Sequence, residues 1–154
     1  MTQYFIIATI VVFSFHLAGH IFDKIAIIPN WNSGDIDDMK KNKAFFQKGQ
    51  IRSFFVLMIL SCFIISLVTM LLLLGDNGQA RLFSILAFAL STATSIWSIV
   101  YFVPMNKYFE AGEYEIDKLK QLVKKWTMAN HLRFVLLTIC LLLSILVLTN
   151  FSFN

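Results

Sequence analysis

Charge is scarce in this chain of 154 residues, and long stretches of it carry none. Only 14% of the residues are Asp, Glu, Lys or Arg, whereas 58% are apolar. A soluble domain of this size needs more polar surface than such a composition supplies, but lipid can cover an apolar exterior. The composition therefore argues against an ordinary soluble domain and predicts an integral membrane protein.

Signatures of several common enzyme classes are also missing. There is no glycine-rich phosphate loop, no Gly-x-Ser-x-Gly elbow, no Cys-x-x-Cys pair and no His-Glu-x-x-His sequence, so nothing indicates the chemistry that each would support. Cys62 and Cys140 fall within apolar stretches, where a thiol behaves as a small apolar group. We predict that both cysteines serve packing.

Long apolar runs are what the sequence has instead. Four of them cover about residues 4–22, 54–74, 82–103 and 132–149. The first three are close to the ~20 residues that a helix needs to cross a hydrocarbon core. We predict an all-α fold, a transmembrane four-helix bundle that forms a single membrane domain over residues 1–154.

The distribution of basic residues predicts an orientation. Of thirteen Lys and Arg residues, six lie between spans one and two, five lie between spans three and four with Arg133 at the start of span four, and Arg81 lies on the other side. By the positive-inside rule both basic connections are cytoplasmic and both termini lie outside an inner or plasma membrane. The net charge of +4 then reflects contact with the lipid bilayer, and no nucleic-acid partner is expected.

Each basic connection is predicted to contain a helix. In the first, acids precede bases from about Asp35 to Gln47, as a helix dipole prefers. In the second, apolar residues recur at helical spacing among lysines, which is typical of a cytoplasmic amphipathic helix before the last span. That helix either lies on the headgroups or caps the bundle. Pro104 is expected to kink or end span three near Asn106.

Three ionisable residues share one helix face at the end of span one. His16, His20 and Asp23 stand at positions i, i+4 and i+7. Imidazoles one turn apart can hold a transition metal jointly, and ionisable groups in a span are costly enough to indicate a site. His16 and His20 are therefore candidate ligands of iron or copper. The alternative is that His20 and Asp23 reach the headgroups while His16 bonds to a neighbouring helix.

A second polar and aromatic group is expected at the same end of the bundle. Span four opens with Trp126, Asn130, His131 and Arg133, and span three closes with Tyr101, Pro104 and Asn106. With the topology above these ends lie beside His20. We predict that they converge there on one pocket near the cytoplasmic face.

The residue types in this pocket suit chemistry on an ionisable hydroxyl or a ketone. Arg133 can hold an oxyanion or a phenolate, His131 can move a proton near neutral pH, and Asn106 can orient a carbonyl or hydroxyl. The alternative is that Arg133 extends to lipid phosphates and Trp126 belongs to the interfacial aromatic belt.

Two stretches of the sequence resemble a known family. The run Val103-Pro104-Met105-Asn106, followed in the chain by Trp126-Thr127-Met128-Ala129-Asn130-His131-Leu132-Arg133, is similar to the second half of the anthrone oxygenase-like family of small four-helix membrane proteins. Pro29, in Ile28-Pro29-Asn30-Trp31 after span one, also fits the first half of that family.

The resemblance implies an oxygenase. Characterised members are similar to oxygenases that convert an anthrone to an anthraquinone with molecular oxygen, without an obvious flavin or haem motif. The positions that match are Asn106, Trp126, His131 and Arg133, of which we expect Asn106, His131 and Arg133 to be catalytic. Expected substrate contacts are Trp126, Asn130, Tyr101, Trp31 and Asn30. His16 and His20 depart from the family pattern.

We therefore predict a membrane-embedded, oxygenase-like protein that acts on a hydrophobic small molecule of the phenol, anthrone or quinol type. It works either without a cofactor or with iron or copper bound by histidines. The alternative is a non-catalytic membrane protein, either an accessory subunit or a binder or carrier of small molecules. The expected partners, besides a hydrophobic small molecule and the lipid bilayer, are further copies of the chain in a homo-oligomer or the members of a larger membrane complex.

Overall fold

The computed structural model is all-helical over the residues that it describes, which are 1–29, 37, 51–76, 78–111 and 116–151. Its helices are α1 (Thr2–Phe22), α2 (Ile51–Leu72), α3 (Gln79–Trp97), α4 (Val103–Ala111) and α5 (Ile116–Asn150). Short π-helical segments follow α1 over Asp23–Ile27 and join α3 to α4 over Ser98–Phe102. The predicted all-α fold is confirmed. The helix predicted in the first connection lies, except for Asp37, outside the described residues.

Four stretches are long and apolar enough to cross a membrane. They are Thr2–Ala26, Ser53–Leu72, Gln79–Lys107 and Lys120–Asn150. The helix α5 has 35 residues, which corresponds to about 52 Å at the rise of an α-helix. No glycine or proline interrupts it, so the amphipathic helix and the last span are one continuous helix.

Pro104 distorts the third span without ending it. The residue is the second of α4 and follows the π-helical segment directly, so its missing backbone N–H removes a donor from a continuous helix. The carbonyl of Val100, four residues earlier, lies within the π-helical segment Ser98–Phe102. The break expected near Asn106 is therefore a π-helical distortion before the proline, and the chain stays helical to Ala111.

The spans form a ring in the order α1, α2, α3, α5. α1 packs against α2 and α5, and α3 packs against the same two helices. α3 buries one stripe of small side chains, formed by Ala80, Ser84, Ala87, Ser91 and Thr94. In lipid, such small residues let neighbouring helices approach closely. This close contact holds α5 in the bundle.

The outer surface of the bundle is apolar, as a lipid solvent requires. Phe15, Leu57, Ile64 and Leu142 are each more than half exposed. Serines and threonines are instead among the buried residues. We call the end where α1 ends and α2 begins the basic end, because both lysine-rich connections leave from it, and we call the opposite end the terminal end.

Apolar layers alternate with polar ones along the bundle. The layer at the basic end contains Ile28, Phe102, Val123, Trp126 and Ala129. The middle layer contains Phe13, Cys62, Leu137 and Cys140, and the layer at the terminal end contains Ile6, Leu73, Ala80 and Val147. Both cysteines are free and buried, in agreement with the predicted packing role. Polar residues lie between the layers, and one group of them lies near the basic end.

Candidate substrate site

Five polar side chains form one buried group between the layer at the basic end and the middle layer. This polar cluster consists of His16, His20, Asp23, Asn130 and Arg133, none more than 5% exposed. The three members from the end of α1 and its π-helical extension stand one or two turns apart, and the two members from α5 stand three residues apart. Because α1 and α5 pack against each other, the two polar stripes meet.

Arg133 is the centre of the polar cluster. Its Nη2 donates a hydrogen bond of 2.8 Å to Asn130 Oδ1 and lies 3.4 Å from His20 Nδ1. A guanidinium can only donate, so His20 Nδ1 accepts and the ring proton of neutral His20 is on Nε2. The guanidinium carbon also lies 4.1 Å from the centre of the Phe102 ring. Arg133 is therefore held inside the bundle, and the alternative that it extends to lipid phosphates is wrong.

Asp23 is the acidic member of the polar cluster. Its Oδ2 lies 3.6 Å from His20 Nδ1, and its carboxylate attracts the charge of Arg133. Among the acids whose burial the structure describes, Asp23 alone is buried, because Asp37 and Asp117 are exposed and Asp76 is half-buried. The sequence places Asp23 on the histidine face, but its electrostatic attraction to Arg133 depends on the order of helices in the bundle.

His16 and His20 are stacked and fully enclosed. Their ring centres are 5.1 Å apart, and the Phe55 ring of α2 lies 5.4 Å from that of His20. His16 Nδ1 lies 3.5 Å from the thiol sulfur of Cys62. His20 and Asp23 are buried, so the part of the alternative in which they reach the headgroups is wrong. The contact of His16 with Cys62 of α2 agrees with its other part, in which His16 bonds to a neighbouring helix.

Four buried nitrogen atoms of the polar cluster have no hydrogen-bond partner in the described part of the chain. They are His16 Nε2, His20 Nε2, Asn130 Nδ2 and Arg133 Nε. The described part of the chain has five buried side-chain polar atoms without a partner, so four of the five lie in the polar cluster. Asn130 Nδ2 faces Asp23 without reaching hydrogen-bonding geometry. An unsatisfied buried polar group costs about 1–3 kcal/mol, so their concentration at one place indicates a site for a bound molecule.

Three of these atoms are N–H donors. Arg133 Nε and Asn130 Nδ2 can only donate, and His20 Nε2 carries the ring proton because Nδ1 accepts from Arg133. The polar cluster therefore offers donors to a ligand that brings acceptor oxygen atoms. Phe55 and Phe102 line it with aromatic faces, 5.7 and 4.1 Å from the Arg133 guanidinium carbon.

Other predicted site residues lie nearer the basic end. Trp126 is buried, and its Nε1–H donates to Oδ1 of the exposed Asn106 at 3.1 Å. The Trp126 ring contacts Phe102 edge to face, which links this pair to Arg133. Tyr101 is half-buried and stacks on Trp97 with ring centres 4.9 Å apart. Asn30 and Trp31 lie outside the described residues.

His131 does not belong to the polar cluster, in contrast to Asn130 and Arg133, with which the sequence grouped it. Its side chain is exposed, whereas Asn130 and Arg133 on either side of it are buried. Successive residues of an α-helix point about 100° apart. When α5 is oriented so that Asn130 and Arg133 point into the bundle, His131 therefore points out of it.

The model of the family described as Anthrone oxygenase matches residues 43–143, which is well over half of the chain. The chain belongs to the anthrone oxygenase family. No curated protein matches the chain, and no solved structure does.

The family match divides the polar cluster between two parts of the chain. Asn130 and Arg133 lie within the residues that match the anthrone oxygenase family, as do Asn106 and Trp126. His16, His20 and Asp23 precede them, yet His20 contacts Arg133 directly. The α1 residues thus complete a site whose other half is in the matched region.

A metal does not fit this member of the anthrone oxygenase family at His16 and His20. The described residues contain no group of three or more His, Cys, Asp or Glu side chains that could hold a metal ion, and catalytic zinc sites use three protein ligands. In addition, His20 Nδ1 faces the Arg133 guanidinium, whose charge opposes a second cation. The donor set does not support iron or copper there.

We expect the purified protein to carry no stoichiometric iron, copper or zinc. The physical reason is the missing third ligand beside His16 and His20 and the repulsion from Arg133. Elemental analysis of metal content by mass spectrometry is the measurement. A stoichiometric metal that is retained by wild type and lost from the His16→Ala and His20→Ala variants would contradict this expectation.

Proposed function

We propose that this member of the anthrone oxygenase family oxidises a hydrophobic phenol, anthrone or quinol at the polar cluster. The observation that carries the proposal is the set of three buried N–H donors without partners, on His20, Asn130 and Arg133. One of these donors belongs to the Arg133 guanidinium, whose permanent positive charge is poorly screened in these surroundings. Such a set suits an oxygen atom that gains negative charge during a reaction.

The ketone oxygen of an anthrone can accept hydrogen bonds from Arg133 Nε, Asn130 Nδ2 and His20 Nε2. Its fused rings find aromatic partners in Phe55 and Phe102. The layers on either side exclude water from the polar cluster, so the charge of Arg133 acts at a low effective dielectric constant. The donors therefore favour the enolate over the neutral ketone.

The oxidation that follows needs only the substrate and dioxygen. A C–H bond of the anthrone CH2 group breaks, its electron pair moves into the ring system as the enolate, and the proton passes to an acceptor in the polar cluster. The carbon then bonds to dioxygen, and the resulting peroxide takes up the proton. Loss of water from this hydroperoxide leaves a carbonyl group. In sum, CH2 and O2 give C=O and H2O.

The position of the polar cluster suits a substrate that arrives from the membrane. From Arg133 to Asn150, α5 rises about 26 Å, so Arg133 lies near one boundary of a hydrocarbon core of ~30 Å. Lys24, just past the end of α1, places its ammonium 3.8 Å from the Phe134 ring centre. Under the positive-inside rule this boundary is the cytoplasmic one. The site then takes substrate from the inner leaflet.

Turnover in lipid vesicles tests the proposed function. We expect vesicles that contain the purified protein to convert anthrone to anthraquinone well above the rate in empty vesicles, with one O2 consumed per product. The measurements are product absorbance and an oxygen electrode. Anthraquinone formation no faster than in empty vesicles, with the protein folded, would overturn the proposal and favour a non-catalytic binder or subunit.

A further inference from the structure

We propose that Asp23 is the proton acceptor in the reaction of this site, an inference that rests on the proposed function. Asp23 is buried within the polar cluster at 3% exposure, with Oδ2 3.6 Å from His20 Nδ1. It is the one buried carboxylate among the acids whose burial the structure describes. A positioned carboxylate is a competent general base when its partner is held in place.

The other candidates are less suited to accept the proton. His20 Nδ1 accepts from Arg133, so its free Nε2 is a donor. His131 is exposed and points away from the polar cluster. His16 remains, stacked on His20 with its Nδ1 against the Cys62 thiol, and charge decides between His16 and Asp23.

Proton transfer to a neutral histidine would create a new pair of opposite charges in an apolar interior. Separating charge there is expensive, because burial removes the water that would solvate both ions. Transfer to Asp23 instead moves the negative charge from the carboxylate to the substrate oxygen. Asp23 and Arg133 attract each other electrostatically, and the enolate oxygen is held by the donors that include Arg133. The negative charge therefore stays near the cation before and after the step. The net charge of the polar cluster with its ligand does not change.

In this step the substrate C–H bond breaks and its electron pair becomes the enolate held by Arg133, Asn130 and His20. The proton bonds to a carboxylate oxygen of Asp23. After dioxygen has added to the carbon, the same proton passes to the peroxide oxygen, and the carboxylate is restored. Asp23 thus acts first as base and then as acid, and no other proton donor is needed.

Hydrogen exchange without dioxygen isolates this step. Anthrone is incubated anaerobically in D2O with the protein in vesicles, and deuterium in the CH2 group is measured by mass spectrometry. We expect wild type to accelerate exchange and Asp23→Asn to slow the accelerated rate by about 100-fold or more. Asp117→Asn, which changes an exposed acid at the start of α5, is expected to exchange as wild type does.

Two further measurements distinguish the loss of the proton acceptor from a folding defect. Binding of anthraquinone, which has no exchangeable CH2 hydrogen, is followed by quenching of tryptophan fluorescence and should persist in Asp23→Asn. Asp23→Glu keeps the charge but displaces the carboxylate, and we expect it to bind anthraquinone normally while exchanging at least about tenfold more slowly.

The outcomes separate this inference from the proposed function. Wild-type exchange rates in Asp23→Asn, or in Asp23→Glu when Asp23→Asn does not fold, overturn the role of Asp23. Exchange that is lost in His16→Ala or His131→Ala but kept in Asp23→Asn overturns it as well. If exchange depends on Asp23 but no anthraquinone forms in air, the role of Asp23 as proton acceptor is supported and the proposed oxygenase function is overturned.

Discussion

Replacement of Arg133 by leucine is expected to lower the free energy of unfolding by about 3–5 kcal/mol, the order of loss that follows when a buried charge is left without a compensating charge. The substitution leaves the carboxylate of Asp23, 3% exposed, without its cation. It also removes the donor that Asn130 Oδ1 accepts from at 2.8 Å. Reversible unfolding in mixed detergent micelles measures the change.

A second substitution tests whether the unpaired charge causes the loss. The double variant Asp23→Leu with Arg133→Leu removes both charges, and apolar replacement of a whole buried pair is often neutral. We expect it to recover most of the stability that Arg133→Leu loses. Arg81→Leu is the control, since Arg81 is half-buried near the terminal end and should change stability by about 1 kcal/mol or less. A double variant no more stable than Arg133→Leu would show that the uncompensated charge of Asp23 does not cause the loss of stability.

The fold could be predicted from the sequence because lipid imposes simple constraints. Each span needs a long apolar helix, and such runs are visible in the residues. The continuity of α5 also follows from local sequence, since no glycine or proline occurs between Ile116 and Asn150. What the sequence does not show is which face of each helix points inward. In lipid both the inside and the outside of a bundle are apolar, so hydrophobic periodicity does not distinguish them.

His131 and Arg133 illustrate this difficulty. They are two residues apart on α5, and both suit catalysis by residue type, yet one is exposed and the other is buried. The inward face of α5 is identified by its small and polar members, Asn130, Cys140 and Ser144, which lie on the same side as Arg133. That polar pattern, in place of the apolar one, would have separated His131 from Arg133.

The partnership of Asp23 with Arg133 was beyond sequence reasoning for a different reason. The two residues are far apart in the chain and meet only because α1 and α5 are neighbours in the ring of helices. A helix order in which α1 and α5 were diagonal would have separated them. The only local hint is that Asp23 shares a face with His16 and His20, whereas charge balance in a low-dielectric interior predicts that a buried arginine has an acid nearby.

Asn130→Asp is expected to reduce anthraquinone formation by about 100-fold or more, in line with the loss of one donor to a developing oxyanion. The new side chain has the same shape and can still accept from Arg133 Nη2 through the oxygen that now lies 2.8 Å away. It replaces the Nδ2 donor, which has no partner in the described structure, by a negatively charged oxygen. That oxygen repels the enolate that Nδ2 would stabilise. Turnover in vesicles and anthraquinone binding are the measurements.

A control variant with the same substitution elsewhere shows whether the effect is specific to position 130. Asn150→Asp introduces the same charge at an exposed position near the terminal end and should leave turnover unchanged. In Asn130→Asp the added carboxylate accepts from Arg133 but also stands near Asp23, so we expect the variant to be less stable than wild type. A cooperative unfolding transition shows that the variant is folded before its turnover is compared. A folded Asn130→Asp variant with wild-type turnover and wild-type affinity for anthraquinone would show that Nδ2 does not face the substrate oxygen, and the polar cluster would then lack the donor set on which the proposed chemistry depends.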